Sequence, residues 1–167
     1  MHRKHIASIF FTLLFGILAL PAMGADSTAI VGTWRITSFS VLTLETNEVT
    51  HPNGENPLGF IQYSPGGHML VFVSSRNQKK PASAAYTDTE RADAHKSVFA
   101  AYAGRYTVEG NKVVHHVIGS WRPDWVGTDL VRFFEINGNK LSIKTAPLIY
   151  SVTGKQIVST LTFEKVE

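Results

Sequence analysis

The sequence contains no cysteine among its 167 residues. The protein can therefore form no disulfide, hold no cysteine-ligated zinc or iron–sulfur cluster, and use no thiol nucleophile. It also lacks the glycine-rich fingerprints that bind phosphates or dinucleotides, and the Gly-x-Ser-x-Gly turn of many serine hydrolases. We accordingly expect no cofactor, and the sequence gives no support for a nucleotide-dependent enzyme or a hydrolase of that type.

A large excess of charge of one sign is also missing. Lysine and arginine number 16 against 13 aspartates and glutamates, and two of the 16, Arg3 and Lys4, lie in a segment interpreted below as a signal peptide. The other 14 leave a net charge near +1. We therefore expect no phosphate-neutralising surface and no nucleic-acid partner.

The positions of the histidines in the sequence do not predict a metal site. His115 and His116 are neighbours in a predicted strand, where successive side chains point to opposite faces and cannot chelate one ion together. His51, His68 and His95 are separated in the sequence, whereas a zinc site needs three or four converging ligands. We expect no bound metal.

The N-terminal segment has the three-part pattern of a secretory signal peptide. A basic stretch, His2–His5, precedes the uncharged apolar run Ile6–Leu20, and small residues follow up to Gly24. The alternative is an uncleaved anchor, but the run is shorter than the roughly 20 residues that span a bilayer. We predict cleavage after residue 24, export to the periplasm or the medium, and no stable membrane insertion of the remaining domain, residues 25–167.

Short alternating runs separated by turn signals predict eight strands and one helix. A capping box at Thr87–Glu90 and apolar residues at helical spacing predict a helix over residues 88–101. Strands at hairpin spacing predict an all-β antiparallel barrel or sandwich. The predicted strands cover residues 32–44, 58–64, 68–74, 104–109, 112–120, 128–136, 140–145 and 156–165.

Alternation within these strands indicates which side chains face inward. In the first strand, one face would carry Trp34, Ile36, Ser38, Ser40 and Leu42. In the strand over residues 128–136, the charged residues on the opposite face place Arg132 inside. The strand over residues 112–120 is ambiguous, because its two faces have equal polarity, and we take His116 as the inward histidine.

The inward polar residues admit two interpretations each. Arg132 is either a structural arginine bonded to backbone carbonyls or stacked on Trp34, or a cation that faces a ligand. His116 is either a satisfied interior histidine or a hydrogen-bonding or acid–base group, and Tyr106 is either core or an anchor. If His116 and Arg132 share the interior, burial and the arginine charge should lower the pKa of His116.

The central segments resemble those of the bacterial lipocalin-like domain family. The similar segments are Ala101–Val108, Val113–Val117 and Pro123–Gly127 followed by Arg132, and Gly32-Thr33-Trp34 matches the opening Gly-x-Trp of the wider calycin group. The similarity extends from about residue 30 to the C-terminus. One departure is Lys165, which stands where related chains often carry arginine and lacks arginine's planar fork.

The resemblance implies an all-β, antiparallel, up-and-down eight-stranded lipocalin-like barrel with a cup-shaped cavity, to which the sequence adds one short helix. We therefore expect an exported protein that binds a small apolar or amphipathic molecule. Tyr106, His116 and Arg132 would be its anchors, with Trp125 and Tyr102 near the mouth. The alternatives are a cofactor-free isomerase or cyclase of a small carbonyl compound, or an interaction protein with a filled barrel.

Overall fold

The computed structural model describes residues 28–150 and 153–167 as a single antiparallel β-sheet with one α-helix. The predicted signal peptide, residues 1–24, lies outside the described residues. The helix is α1 (Asp88–Ser97), and Pro123–Trp125 forms one 3-10 turn. The strands are β1 (Gly32–Thr43), β2 (Glu48–Thr50), β3 (Leu58–Tyr63), β4 (His68–Ser74), β5 (Val98–Glu109), β6 (Lys112–Ser120), β7 (Asp129–Asn137), β8 (Lys140–Thr145), β9 (Leu148–Ile149) and β10 (Gln156–Lys165).

Eight of these strands close into a barrel, which confirms the predicted fold class. Each long strand pairs antiparallel with the next along the chain, and the pairing of β1 with β10 completes the ring. The short strands β2 and β9 are additions beside β1 and β10. Closure removes the unpaired sheet edges that would otherwise promote association. Among the described residues, no helix is long and apolar enough to span a membrane.

The helix is shorter than predicted, because the last four residues of the predicted helix, 98–101, belong to strand β5. The capping box between Thr87 and Glu90 is present, but α1 ends at Ser97 and β5 begins at Val98. Helix α1 has no buried residue, so further helical residues would add little packing energy. Phe99, inside the predicted helix, and Tyr102, just beyond it, instead pack in the barrel as residues of β5.

A β-bulge in β1 makes the predicted facing of that strand wrong beyond Ile36. The register against β10 shifts between Ile36 and Ser38, and one extra residue exchanges the two faces of a strand. Trp34 and Ile36 are buried as predicted, but Phe39 and Val41 then point inward in place of Ser38, Ser40 and Leu42.

The prediction that His116 faces the interior is also wrong, because the register of the β5–β6 hairpin places His115 there. Glu109 pairs with Lys112 across a two-residue turn, so Tyr106 pairs with His115, and directly paired residues share a face of the sheet. His115 is 1% exposed. His116 lies on the outer surface, where Nδ1 is 2.7 Å from the Asp129 carboxylate.

Gly104 allows β5 and β6 to approach closely where their register shifts. The shift lies between Ala103 and Gly104. A Cβ atom at Gly104 would lie 2.0 Å from the carbonyl oxygen of His116, a distance that no side chain can adopt without moving the backbone. This contact accounts for the glycine in the segment that carries the family resemblance.

Candidate functional site

A cavity of about 300 Å³ lies inside the barrel. This volume is at the lower end of the range for small-molecule sites and holds roughly ten water-sized groups. Most of its wall is apolar, so a largely apolar ligand would be desolvated there. The apolar lining residues are Phe39, Ile61, Val71, Val98, Phe99, Ala100, Ile143, Leu148, Ile157, Leu161 and Phe163.

The cavity opens toward α1 and the 3-10 turn. The side chains of Lys96 and Arg122 line it and are 77% and 38% exposed, which identifies their end as the mouth. Ile61 and Phe163 line it from within the buried core. A ligand would therefore enter past Lys96 and Arg122 and extend toward the core.

The polar group of the inner wall is a histidine held between two tyrosines. The Nε2 atom of His115 lies 2.8 Å from the hydroxyl of Tyr63, and its Nδ1 atom lies 2.8 Å from the hydroxyl of Tyr102. A neutral imidazole has one donor and one acceptor nitrogen. One tyrosine must therefore donate a hydrogen bond to the ring and the other must accept one.

This cluster carries no charge of its own at neutral pH. Burial, with further contributions from the charges of Arg132 and His116, lowers the pKa of His115 to about 3. Burial raises the pKa of Tyr63 and of Tyr102 above the ordinary tyrosine value, although the Arg132 charge opposes both shifts. The arginine is therefore the charged group of this inner region.

Arg132 lines the cavity with no acidic partner. It lies on β7 between Val113 and Thr145, and one of its terminal nitrogens donates to the carbonyl of Val131 at 2.9 Å. Within residues 28–150 and 153–167, no carboxylate approaches the guanidinium within 4.0 Å. A partly buried cation without a counter-ion is costly, and an anion placed beside it removes much of that cost.

The other charged groups on the wall are cations as well. Lys96 and Arg122 line the mouth, and no aspartate or glutamate is among the described lining residues. The Arg122 guanidinium, however, bonds Asp124 at 2.6 Å and lies 4.8 Å from the ring centre of Trp125. Its charge is thus compensated locally, and that of Arg132 is not.

Three of the five predicted site residues line the cavity, and two do not. Tyr102, Trp125 and Arg132 are on its wall, and the rings of Tyr102 and Trp125 meet edge to face at 5.6 Å. Tyr106 shares the inward face with His115 but lies outside the cavity, where its ring packs against Tyr63 and its hydroxyl donates to the Ser64 carbonyl at 2.9 Å. His116 is on the outer surface, as described above.

The sequence interpretation missed two residues of the site. His115 was assigned to the outer face, and Tyr63 was not considered. The two-residue turn of the β5–β6 hairpin was the available signal for His115. As to metals, the described residues contain no group of three or more histidines and carboxylates that could hold an ion.

A comparison with protein-family models identifies this barrel. The lipocalin-like domain matches residues 31–166, which include every barrel strand. A search of curated proteins finds no significant match. The match extends over most of the chain and agrees with the closed eight-stranded barrel around a cavity. The chain therefore belongs to the lipocalin-like domain family, whose fold suggests the binding of small molecules.

Proposed function

We propose that the barrel binds a small amphipathic molecule with an anionic head group, of which a carboxylate is the simplest. The observation that carries the proposal is the uncompensated Arg132 guanidinium on the wall of an otherwise apolar cavity. An apolar molecule without charge would leave this cation unpaired. A carboxylate would meet it with two parallel charge-assisted hydrogen bonds.

The histidine–tyrosine cluster supports the same head-group position. When the proton is on Nδ1 of His115, that nitrogen donates to the Tyr102 hydroxyl and Nε2 accepts from Tyr63. The Tyr102 hydroxyl hydrogen is then free for a ligand oxygen. The head group would thus bind Arg132 and Tyr102, and the neutral imidazole would orient Tyr102.

The apolar wall would hold the rest of the molecule. Phe39 and Phe99 stack with their ring centres 4.5 Å apart, and Trp125 packs against Tyr102 nearer the mouth. Each square ångström of apolar surface removed from water contributes about 25 cal/mol. An alkyl chain of medium length, extended from the head group toward the mouth, would gain most from this arrangement.

We favour binding over the isomerase or cyclase alternative because of the hydrogen bonds of His115. Both ring nitrogens bond tyrosine hydroxyls. A proton-transfer role would require one nitrogen to release its tyrosine and meet the substrate.

Titration with decanoate and decanol tests the proposal. Arg132→Gln is expected to weaken decanoate binding about ten- to a hundredfold, the usual contribution of hydrogen bonds to a charged group. Decanol binding should change little, because decanol carries no charge. Calorimetry on each protein measures both dissociation constants, and a urea denaturation curve checks that the variant is folded.

The matched control is Arg122→Gln. It removes another cation from the same cavity wall, but one that is already paired with Asp124. Decanoate affinity should therefore change much less than in Arg132→Gln. An equal loss in the two variants, or a decanoate affinity unaffected by Arg132→Gln, would contradict the proposal.

We also propose that the protein is exported. The basic, apolar and small-residue regions of residues 2–24 support cleavage after Gly24. N-terminal sequencing of protein from its host should give Ala25 or Asp26 as the first residue. Recovery of the chain from the cytosol with its N-terminal segment intact would show that the pattern has been misinterpreted.

A further inference from the structure

Apolar side chains are exposed on the outside of the barrel, across strands β3 to β6. They form an outer apolar face that consists of Leu58, Phe60, Leu70, Phe72, Ala103 and Ile118. Cross-strand pairs join its members, since Phe60 pairs with Phe72 and Leu70 pairs with Ala103. Contiguous apolar patches larger than a few hundred square ångströms usually mark interaction sites when they are exposed.

A β-bulge makes Ile118 the ridge of this face. Gly104 pairs with Val117 and Ala103 pairs with Gly119, so Ile118 is the extra residue of β6. The bulge leaves two successive residues, Ile118 and Gly119, exposed on the outside of the barrel. Ile118 is 67% exposed, more than the leucines and phenylalanines of the outer apolar face. It therefore stands above the sheet next to a residue that has no side chain.

A groove of about 430 Å³ lies beside this ridge. It runs between Leu70 on β4 and Ile118 on β6, over a floor that includes Ala103 and Gly104 of β5. Leu70 and Ile118 are two strands apart, roughly 10 Å across the sheet, which leaves room for one aliphatic side chain between them. A surface with a ridge and a groove side by side can pair with its own copy about a two-fold axis.

The exposed area is sufficient for a reversible dimer. Phe60, Leu70 and Phe72 are each about half exposed, and an aromatic side chain has about 150–250 Å² of surface. With Leu58 and Ile118 included, the exposed apolar area is roughly 500 Å². Two copies packed face to face would remove about 1,000 Å² from water, which is the lower limit for a specific interface.

Charges of both signs border the outer apolar face. Arg35 pairs with Phe60 along the sheet and bonds the Glu164 carboxylate at 3.1 Å. On the β6 side, Arg105 and Asp129 both pair with His116 along the sheet. Two copies of one surface need such a mixed border, because each copy supplies the charges that face its partner. An anionic membrane would instead attract an excess of basic residues.

We propose that the outer apolar face is a homodimer interface, in which Ile118 of each copy enters the groove of the other. Val71, between Leu70 and Phe72 in β4, lines the ligand cavity. The interface and the cavity thus use opposite sides of the same strand, and the dimer does not depend on the proposed ligand. The small area makes a dissociation constant in the micromolar range the expected value.

Sedimentation equilibrium of protein purified from its host tests the proposal. Over a range of micromolar concentrations, the average mass should rise from that of a monomer toward twice that value. Ile118→Lys is expected to raise the dissociation constant about a hundredfold or more. A two-fold axis places the substituted residue in the interface twice, and each lysine would lose water without gaining an anionic partner.

The matched control is Ile149→Lys. Ile149 is an isoleucine of β9 with almost the same exposure, 65%, and it lies outside the outer apolar face. This variant should dimerise like the wild-type protein. A wild-type protein that stays monomeric, or equal weakening by the two substitutions, would overturn the proposal. A monomer that cosediments with phosphatidylglycerol vesicles would overturn it in favour of a membrane-binding face.

A second measurement needs no substitution and therefore does not depend on the folding of a variant. Proton–nitrogen NMR spectra of the wild-type protein are compared at low and high concentration. The amide resonances that shift should be those of the outer apolar face, with Leu70 and Ile118 among them, while that of Ile149 stays in place. Shifts centred on another part of the surface would contradict the proposed interface.

Discussion

Replacing His115 by glutamine is expected to flatten the acid dependence of stability. Burial and the Arg132 charge lower the folded-state pKa of His115 to about 3, against an ordinary value of 6.5. Between these two values the unfolded chain binds a proton that the folded protein does not. The free energy of unfolding therefore falls as the pH falls, by about 1.4 kcal/mol per pH unit for this residue.

The His115 contribution is fully present above pH 6.5 and lost by about pH 3, so its total is about 5 kcal/mol. Glutamine can bond both tyrosines but does not titrate over this range. Urea denaturation at pH 7, 6, 5 and 4 should thus give a smaller loss of stability in His115→Gln than in the wild-type protein.

The adjacent histidine supplies the control for this experiment. His116 lies on the outer face with its side chain 38% exposed, so His116→Gln leaves the buried histidine in place. The variant should retain the steep acid dependence of the wild-type protein. A flattened curve for His116→Gln, or parallel curves for wild type and His115→Gln, would show that the buried imidazole does not control acid stability.

Trp34→Ala is expected to lower the free energy of unfolding by about 3–5 kcal/mol, the usual cost of removing a fully buried aromatic side chain. Trp34 is 0% exposed, and its Nε1 donates to the Ile30 carbonyl at 2.9 Å. The Lys165 ammonium lies 5.2 Å from the ring centre. Lysine thus contributes a cation at this ring without the planar fork of arginine.

Urea denaturation at pH 7 measures this loss. Trp125→Ala is a suitable comparison, because Trp125 is only partly buried and lines the cavity mouth. It should cost clearly less stability than Trp34→Ala. A loss below about 1 kcal/mol for Trp34→Ala would be typical of an exposed position. It would contradict the complete burial of the Trp34 side chain.

The barrel could be predicted from sequence because its strands alternate clearly and its turns are marked. The Asn137-Gly138 pair marked this hairpin one residue early: Asn137 pairs with Lys140, so Gly138 and Asn139 form the two-residue turn. Gly138 has a φ of 59°, and glycine at the first position of such a turn matches the twist of the strands it joins. The inward position of Arg132 followed from the charged residues that fix the opposite face of its strand. For the turn and for Arg132, the residues nearby in the sequence were sufficient for the prediction.

The rest of the site depends on register, which local chemistry does not specify. Val113–Val117 has similar residues on both faces, so polarity could not distinguish His115 from His116. The bulge after Ile36 has no sequence signature and reverses the facing of the residues that follow.

A crystal structure with 10-bromodecanoate tests the central claim, that Arg132 binds the anionic head of an amphipathic ligand. Anomalous scattering locates the bromine and therefore the direction of the chain. We predict a carboxylate within hydrogen-bond distance of the Arg132 guanidinium and the Tyr102 hydroxyl, with bromine at the mouth beside Trp125. A carboxylate at Lys96 and Arg122 with bromine near His115, or a ligand outside the barrel, would contradict the claim.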